Sequence, residues 1–169
     1  MKTPLCTRLG IELPIVQAPM GGAGGPALAA AVCNAGGLGM LALWHADADT
    51  MRRQIRETRA LTSRPFGMNL NLEFRQEKRL AVCLEERVPI ISFFWRDPID
   101  LVPRAKEGGA IVMHTVGSAA DAKRAVDAGV DIVIAQGWEA GGHVRGTVAT
   151  MPLIPAVVDA VSPAPVVAA

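Results

Sequence analysis

The chain has no apolar run close to the ~18–20 residues needed to span a bilayer. Its first residues, Met1-Lys-Thr-Pro-Leu-Cys-Thr-Arg8, lack the long apolar core of a signal peptide. A cytoplasmic protein with no membrane partner is therefore expected. Cysteine is scarce: Cys6, Cys33 and Cys83 are odd in number and widely spaced, with no Cys-x-x-Cys pair. That argues against a disulfide frame and against a zinc site, and leaves core or surface thiols. The three histidines form no His-Glu-x-x-His pair, so no metal is expected. Ser92, Ser118 and Thr115 sit in no Gly-x-Ser-x-Gly elbow, which disfavours a serine hydrolase. Charge of one sign is missing as well. Seventeen Lys and Arg against sixteen Asp and Glu give a net charge of +1, which argues against a nucleic-acid partner.

What is present is apolar and periodic. Half of the 169 residues are hydrophobic, enough for one domain with a real core. Short Val-, Ile- and Phe-rich runs mark candidate strands at Ile15–Ala18, Leu38–Leu43, Phe66–Leu72, Pro89–Phe94, Ala110–His114, Ile132–Gln136 and Pro165–Ala168. Most are continuous in apolar character, as strands buried on both faces must be. The intervening segments read as helices. Pro26 suits a first helical position, and Asn34-Ala-Gly36-Gly37 stops that helix. Asp49 is placed to cap Thr50–Leu61, whose Met51, Ile55 and Leu61 form a partial apolar stripe. Glu73–Arg87 puts Leu80, Cys83 and Leu84 on one face. Ser118-Ala-Ala-Asp121 resembles a capping box ahead of a helix closed by Gly129, and Leu153–Val161 is a last short helix.

This alternation implies an α/β fold with parallel strands and right-handed crossovers. About seven strands are countable, whereas an eight-stranded barrel usually takes ~250 residues. The expectation is a TIM-barrel-type (β/α) fold that stops before its eighth strand, residues 1–169 forming a single incomplete barrel domain. An exposed edge strand in such a sheet is compatible with a homo-oligomer.

Several stretches could carry chemistry. Asp131-Ile-Val-Ile-Ala-Gln-Gly-Trp-Glu-Ala-Gly-Gly-His143 runs from an apolar strand into glycines and a histidine, the way a buried strand delivers a proton-exchanging group to the mouth of a sheet or barrel. His45 and His114 could line the same mouth or be loop and packing residues. Gln17-Ala-Pro-Met-Gly-Gly-Ala-Gly-Gly25 allows close approach to a flat or anionic ligand, but fits neither the Rossmann nor the P-loop spacing, and a flexible turn explains it equally well. In Phe66-Gly-Met-Asn69-Leu-Asn71-Leu the two amides share one face. They bond either a neighbouring loop or the edge of a cofactor ring. Arg96, in Trp95-Arg96-Asp97-Pro98, could meet an anionic substrate or form a surface ion pair with Asp97 or another neighbour.

Taken as a set, Pro14-Ile-Val-Gln-Ala-Pro-Met20, Asn34-Ala-Gly-Gly-Leu-Gly39, Arg64-Pro-Phe-Gly-Met-Asn-Leu70, Gly129-Val-Asp131 and Glu139-Ala-Gly-Gly-His143 resemble the nitronate monooxygenase (2-nitropropane dioxygenase) family, in order and spacing. The resemblance covers essentially the whole chain but only the first part of a family member. It implies an FMN-dependent TIM barrel that oxidises alkyl nitronates or nitroalkanes with molecular oxygen to a carbonyl compound and nitrite. Carried over, His143 matches the active-site histidine. Gln17, Ala18, Pro19 and Met20 match the segment beside the flavin, and Asn69 matches an amide near its ring. Gln136, Gly141 and Gly142 match flavin-contacting positions. Thr115 stands where some relatives carry a lysine near the cofactor. Family members hold the FMN phosphate with backbone amides that lie beyond residue 169, so weak FMN binding or none is expected of this chain alone. A flavin-dependent enoyl-acyl-carrier-protein reductase using NAD(P)H and a non-catalytic barrel fragment are the alternatives. An IMP-type dehydrogenase barrel is disfavoured because its catalytic cysteine loop has no counterpart here.

Overall fold

The computed structural model describes residues 2–169. Six strands, β1 (Gly39–Ala42), β2 (Phe66–Asn71), β3 (Ile90–Phe94), β4 (Ile111–Val116), β5 (Ile132–Ala135) and β6 (Val166–Ala168), form one sheet in chain order, and every neighbouring pair is parallel. Seven helices accompany them among the described residues: α1 (Pro4–Leu9), α2 (Pro26–Asn34), α3 (Ala48–Leu61), α4 (Glu77–Glu85), α5 (Val102–Glu107), α6 (Ala119–Asp127) and α7 (Thr150–Val161). Sequential parallel strands with a helix in each crossover are the arrangement of a TIM-barrel-type fold.

Period two along the strands separates two apolar faces. One row carries Leu41, Met68, Ile91, Val112 and Val133 into the larger cluster, where they meet Ile55, Leu80, Val102, Ala122 and Val157 of the helices. The opposite row carries Leu38, Met40, Ile90, Met113 and Ile132 to the inside, where they meet Cys6, Leu9 and Ile11. Helix α1 thus covers the N-terminal ends of the strands from within. Asp131 secures it there. This carboxylate accepts from Arg8 Nη2 (2.5 Å), Lys106 Nζ (2.7 Å) and the Val112 backbone N–H (2.9 Å), joining α1, α5 and β4 at the start of β5.

The differences from the sequence expectation have local causes. Ile15–Ala18 is reduced to a single parallel bridge between Val16 and Leu38, since only the backbone of 15–17 reaches its neighbour. Asp47, not Asp49, caps α3: its Oδ1 accepts from Thr50 N at 2.8 Å, while Asp49 falls inside the first turn. Helix α4 begins at Glu77 rather than Glu73, because Asn71 Oδ1 takes the Glu73 N–H (2.9 Å) and turns the chain first. Helices α1 and α5, six residues each, have too few turns to show a helical period, and α7 starts three residues early, at Thr150. Pro26 at the first position of α2 and the Ser118 cap of α6 are as expected, with Ser118 Oγ accepting from Asp121 N at 3.1 Å.

Candidate functional site

The C-terminal ends of the strands gather most of the residues singled out above. The inner row continues from the apolar floor into polar groups: Asn69 stands level with Ala42 and Ser92, and Thr115 level with Ile134. Both are nearly enclosed, with 5% and 8% of their surface exposed. Asn69 Nδ2 donates to the Ser92 carbonyl at 3.4 Å, and neither its Oδ1 nor the Thr115 hydroxyl has a hydrogen-bond partner among the described residues. These are groups a planar, amide-bearing ligand could read. Asn71 is spent differently: its Oδ1 holds the Glu73 N–H and its carbonyl accepts from Gln76 Nε2 at 2.8 Å.

Gln17 works as a piece of strand. Its Nε2 donates to the Met40 carbonyl (3.2 Å) and its Oε1 accepts from Met40 N (3.4 Å), which lays Ala18, Pro19 and Met20, all exposed, along the end of β1. The glycine loop that follows passes over Trp44, and Gly22 takes φ +81°. His45 packs edge-on to Trp44 (4.7 Å between ring centres), and Trp44 stacks on Phe74 (5.4 Å), so His45 belongs to a surface aromatic group.

The segment after β5 is held at several points. Gln136 uses both ends of its amide on the loop: Nε2 donates to the His143 carbonyl at 2.8 Å, and Oε1 accepts from Arg145 N at 3.2 Å. Glu139 Oε1 accepts from Thr150 N at 2.9 Å, capping α7, and a Cβ on Gly137 would lie 1.9 Å from Thr150 Oγ1. Gly141 and Gly142 face open space, the latter at φ +76°. His143 is exposed and meets the Trp95 ring edge-on at 6.2 Å.

Trp95 itself occupies the left-handed region, φ +82°, an arrangement that costs a non-glycine residue about 1–3 kcal/mol and persists only where neighbours impose it. Its indole N–H donates to Glu73 Oε2 (3.1 Å), its ring stacks on Phe94 (4.8 Å), and its carbonyl accepts from Arg145 Nη1. Arg145 also donates to His114 Nε2 (3.2 Å) and Asp97 Oδ1 (3.2 Å). His114 therefore does not line the mouth. It lies on the helix-facing row, level with Phe93 and Val133, and is fully buried. Its Nδ1 meets the Phe93 carbonyl at 3.1 Å. A carbonyl only accepts, so Nδ1 carries the proton and Nε2 is left to accept from Arg145. Burial and then the adjacent guanidinium push its pKa down to about 4, which keeps the ring neutral. Burial disfavours the charge on Asp97, yet hydrogen bonds from Arg124 and Arg145 outweigh it and hold the carboxyl below its ordinary range. Arg96 takes no part and makes no ion pair among the described residues. It borders a groove of about 470 Å³ between the β2–α4 and β3–α5 loops, lined also by Phe74, Arg75, Asp100 and Leu101.

Trp95 and Arg145 are the site members that sequence reasoning passed over. The available signal was a charged residue between Val144 and Gly146, in a loop otherwise built of glycine and small side chains. All three cysteines are buried thiols rather than disulfides, Cys83 with its thiol pushed up to about 12 by burial, and no cluster fit for a metal occurs among the described residues. No helix among them is long and apolar enough to cross a membrane.

The nitronate monooxygenase family model matches residues 2–77 and 71–169. The chain belongs to that family. It is 40% identical to a (3aS,4S,5R,7aS)-5-hydroxy-7a-methyl-1-oxo-octahydro-1H-indene-4-carboxyl-CoA dehydrogenase of Mycobacterium tuberculosis over 163 residues, 96% of this chain and 46% of the relative. It is 37% identical to a nitronate monooxygenase of Paraburkholderia phytofirmans, covering 84% of this chain and 50% of that protein. Among solved structures, FabK of Thermotoga maritima superposes with a TM-score of 0.95 at 39% identity, over 99% of this chain and 54% of the other. The chain thus spans about half the length of these relatives, which are named for more than one oxidoreductase activity.

Proposed function

We propose that this chain carries the ring-side and proton-handling portion of an FMN-dependent enzyme that oxidises alkyl nitronates with molecular oxygen to a carbonyl compound and nitrite. One observation supports this reading above the others. A histidine on a pinned loop stands at the same strand ends as two polar side chains of largely buried residues, Asn69 and Thr115, whose Oδ1 and Oγ1 lack hydrogen-bond partners and stay open to a ligand. Those two groups, with Gln17–Met20 beside them, suit the polar edge and flat face of a flavin ring. Gly141 and Gly142, where an added Cβ would meet no protein atom, leave room for it. When bound, the flavin supplies the electron-transfer chemistry.

The protein's own part is positional. His143 takes a proton from a neutral nitroalkane, or partly neutralises the charge of a nitronate. The Gln136 amide fixes the His143 backbone, so the ring needs little reordering when substrate arrives. Trp95 stands edge-on to the imidazole, 6.2 Å between ring centres, and gives it an apolar neighbour on one side. With FMN supplied in large excess to offset weak binding, and propionate 3-nitronate as substrate, the protein is expected to release nitrite. His143→Ala is expected to lower turnover of a neutral nitroalkane by about 10²-fold or more, within the range for loss of a general base. Unchanged turnover on both neutral and anionic substrates rejects the assignment.

A second reading, a flavin-dependent enoyl-thioester reductase using NAD(P)H, draws on the 40% identity to a carboxyl-CoA dehydrogenase. Consumption of NADH with an enoyl thioester, without nitrite from a nitronate, favours it.

A further inference from the structure

We propose that Arg145 is the positioning residue for His143, fixing at once the loop that carries the histidine and the aromatic wall it faces. The inference rests on His143 being the proton-handling group. Arg145 follows it by two residues, and its backbone N–H is already held by Gln136 Oε1. From there the side chain turns inward, 17% exposed, and spreads over three elements. Nη1 donates to the carbonyl of Trp95 at the end of β3 and to Nε2 of His114 in β4. Nη2 donates to Asp97 Oδ1 at 3.2 Å and lies 3.7 Å from Asp121 Oδ1 at the start of α6. Arg124 bonds the same two carboxylates from the other side, closing a network of two guanidiniums and two carboxylates around the neutral His114.

Only a planar fork fits this set, because two acceptors lie along one Nη and the carboxylates along the other. The Trp95 contact gives the residue more than a packing role. Trp95 is kept in its left-handed conformation by bonds from both ends, the Arg145 guanidinium on its carbonyl and the Glu73 carboxylate on its indole N–H. Its ring is the surface against which His143 sits. Between these anchors the loop passes Gly117 so closely that a Cβ there would lie 2.5 Å from the Gly146 Cα. Removing the guanidinium frees the loop and lets Trp95 relax, so the two partners of the edge-on contact separate together.

The test is nuclear magnetic resonance on the isotopically labelled protein, reading the Overhauser contact between the His143 ring protons and the Trp95 indole, with the backbone amide spectrum as the measure of folding. The parent protein is expected to show the contact. Arg145→Met and Arg145→Lys are expected to reduce it to less than about a third. Lysine keeps the charge but cannot span Trp95 and Asp97 together. Millimolar methylguanidinium is expected to restore it in Arg145→Ala. Should Arg145→Met fail to fold, the lysine variant decides. A contact kept at parental strength in every folded variant, or absent from the parent, overturns the proposal. If the contact is lost in these variants while His143→Ala leaves turnover unchanged, the positioning role stands and the assignment of His143 as the proton-handling group is what fails.

Discussion

His114 shows how a residue that looks like site chemistry can serve as structure. A histidine at a strand end was readable as lining the mouth, because sequence gives period but not phase: one step along β4 separates the inner row of Thr115 from the outer row of His114. The buried ring is useful only when neutral, since its Nε2 must accept from Arg145. Its pKa near 4 lies well below the ~6.5 of an unfolded histidine, so between these values the unfolded chain binds the extra proton and stability falls as pH is lowered. The loss begins below about pH 6.5, is complete below about pH 4, and amounts to at most about 3–4 kcal/mol. Urea titrations at pH 7 and pH 4.5 should show it, and His114→Phe should flatten that part of the profile. An equal pH slope in the variant sinks the assignment. Asp97 and Asp131, whose carboxyls are held below the ordinary range, lose their contributions lower still, as pH falls through their folded values.

At the scale of elements, the long strands and the capped helices were legible, while the joints were not. Phe66–Asn71 and Ile111–Val116 announce themselves by runs rich in apolar residues between turn signals, and Ser118 by its place before a helical stripe. Helix α1 has no such period, and what fixes it is a carboxylate more than 120 positions away, Asp131, which sequence reading used only as a family marker. Burial opposes ionisation of Asp131, but the hydrogen bonds from Lys106, Val112 and Arg8 prevail. Asp131→Ala leaves the Val112 N–H and Arg8 without their acceptor, and Lys106 with the Gly129 carbonyl alone. It is expected to cost about 3 kcal/mol, in the range for breaking a largely buried pair from one side, and to expose α1 to proteolysis before the rest of the sheet. Stability within about 0.5 kcal/mol of the parent, measured by urea unfolding, would contradict this.

For the molecule as a whole, the order of the strands was legible because each βα unit places its strand beside the last. The family resemblance extended that reading to the strand ends. Unread were the contacts between loops far apart in sequence, such as Arg145 with Trp95, because no local period encodes them. The meeting of Gly117 and Gly146 is of this kind, and it bears on how the protein can vary. A Cβ on either glycine runs into the other's backbone, at 2.5 Å from Gly146 Cα or 2.7 Å from Gly117 Cα. Backbone cannot shrink, so no second substitution makes room for the first. Gly67 is different, since its nearest obstacle is the Met40 thioether at 2.4 Å, and a smaller residue at position 40 relieves it. A library randomised at 117 and 146 together should return glycine at both, whereas one randomised at 40 and 67 should return compensated pairs. Where it crosses Gly117, the loop bearing His143 is therefore closed to change in its path by any compensating substitution.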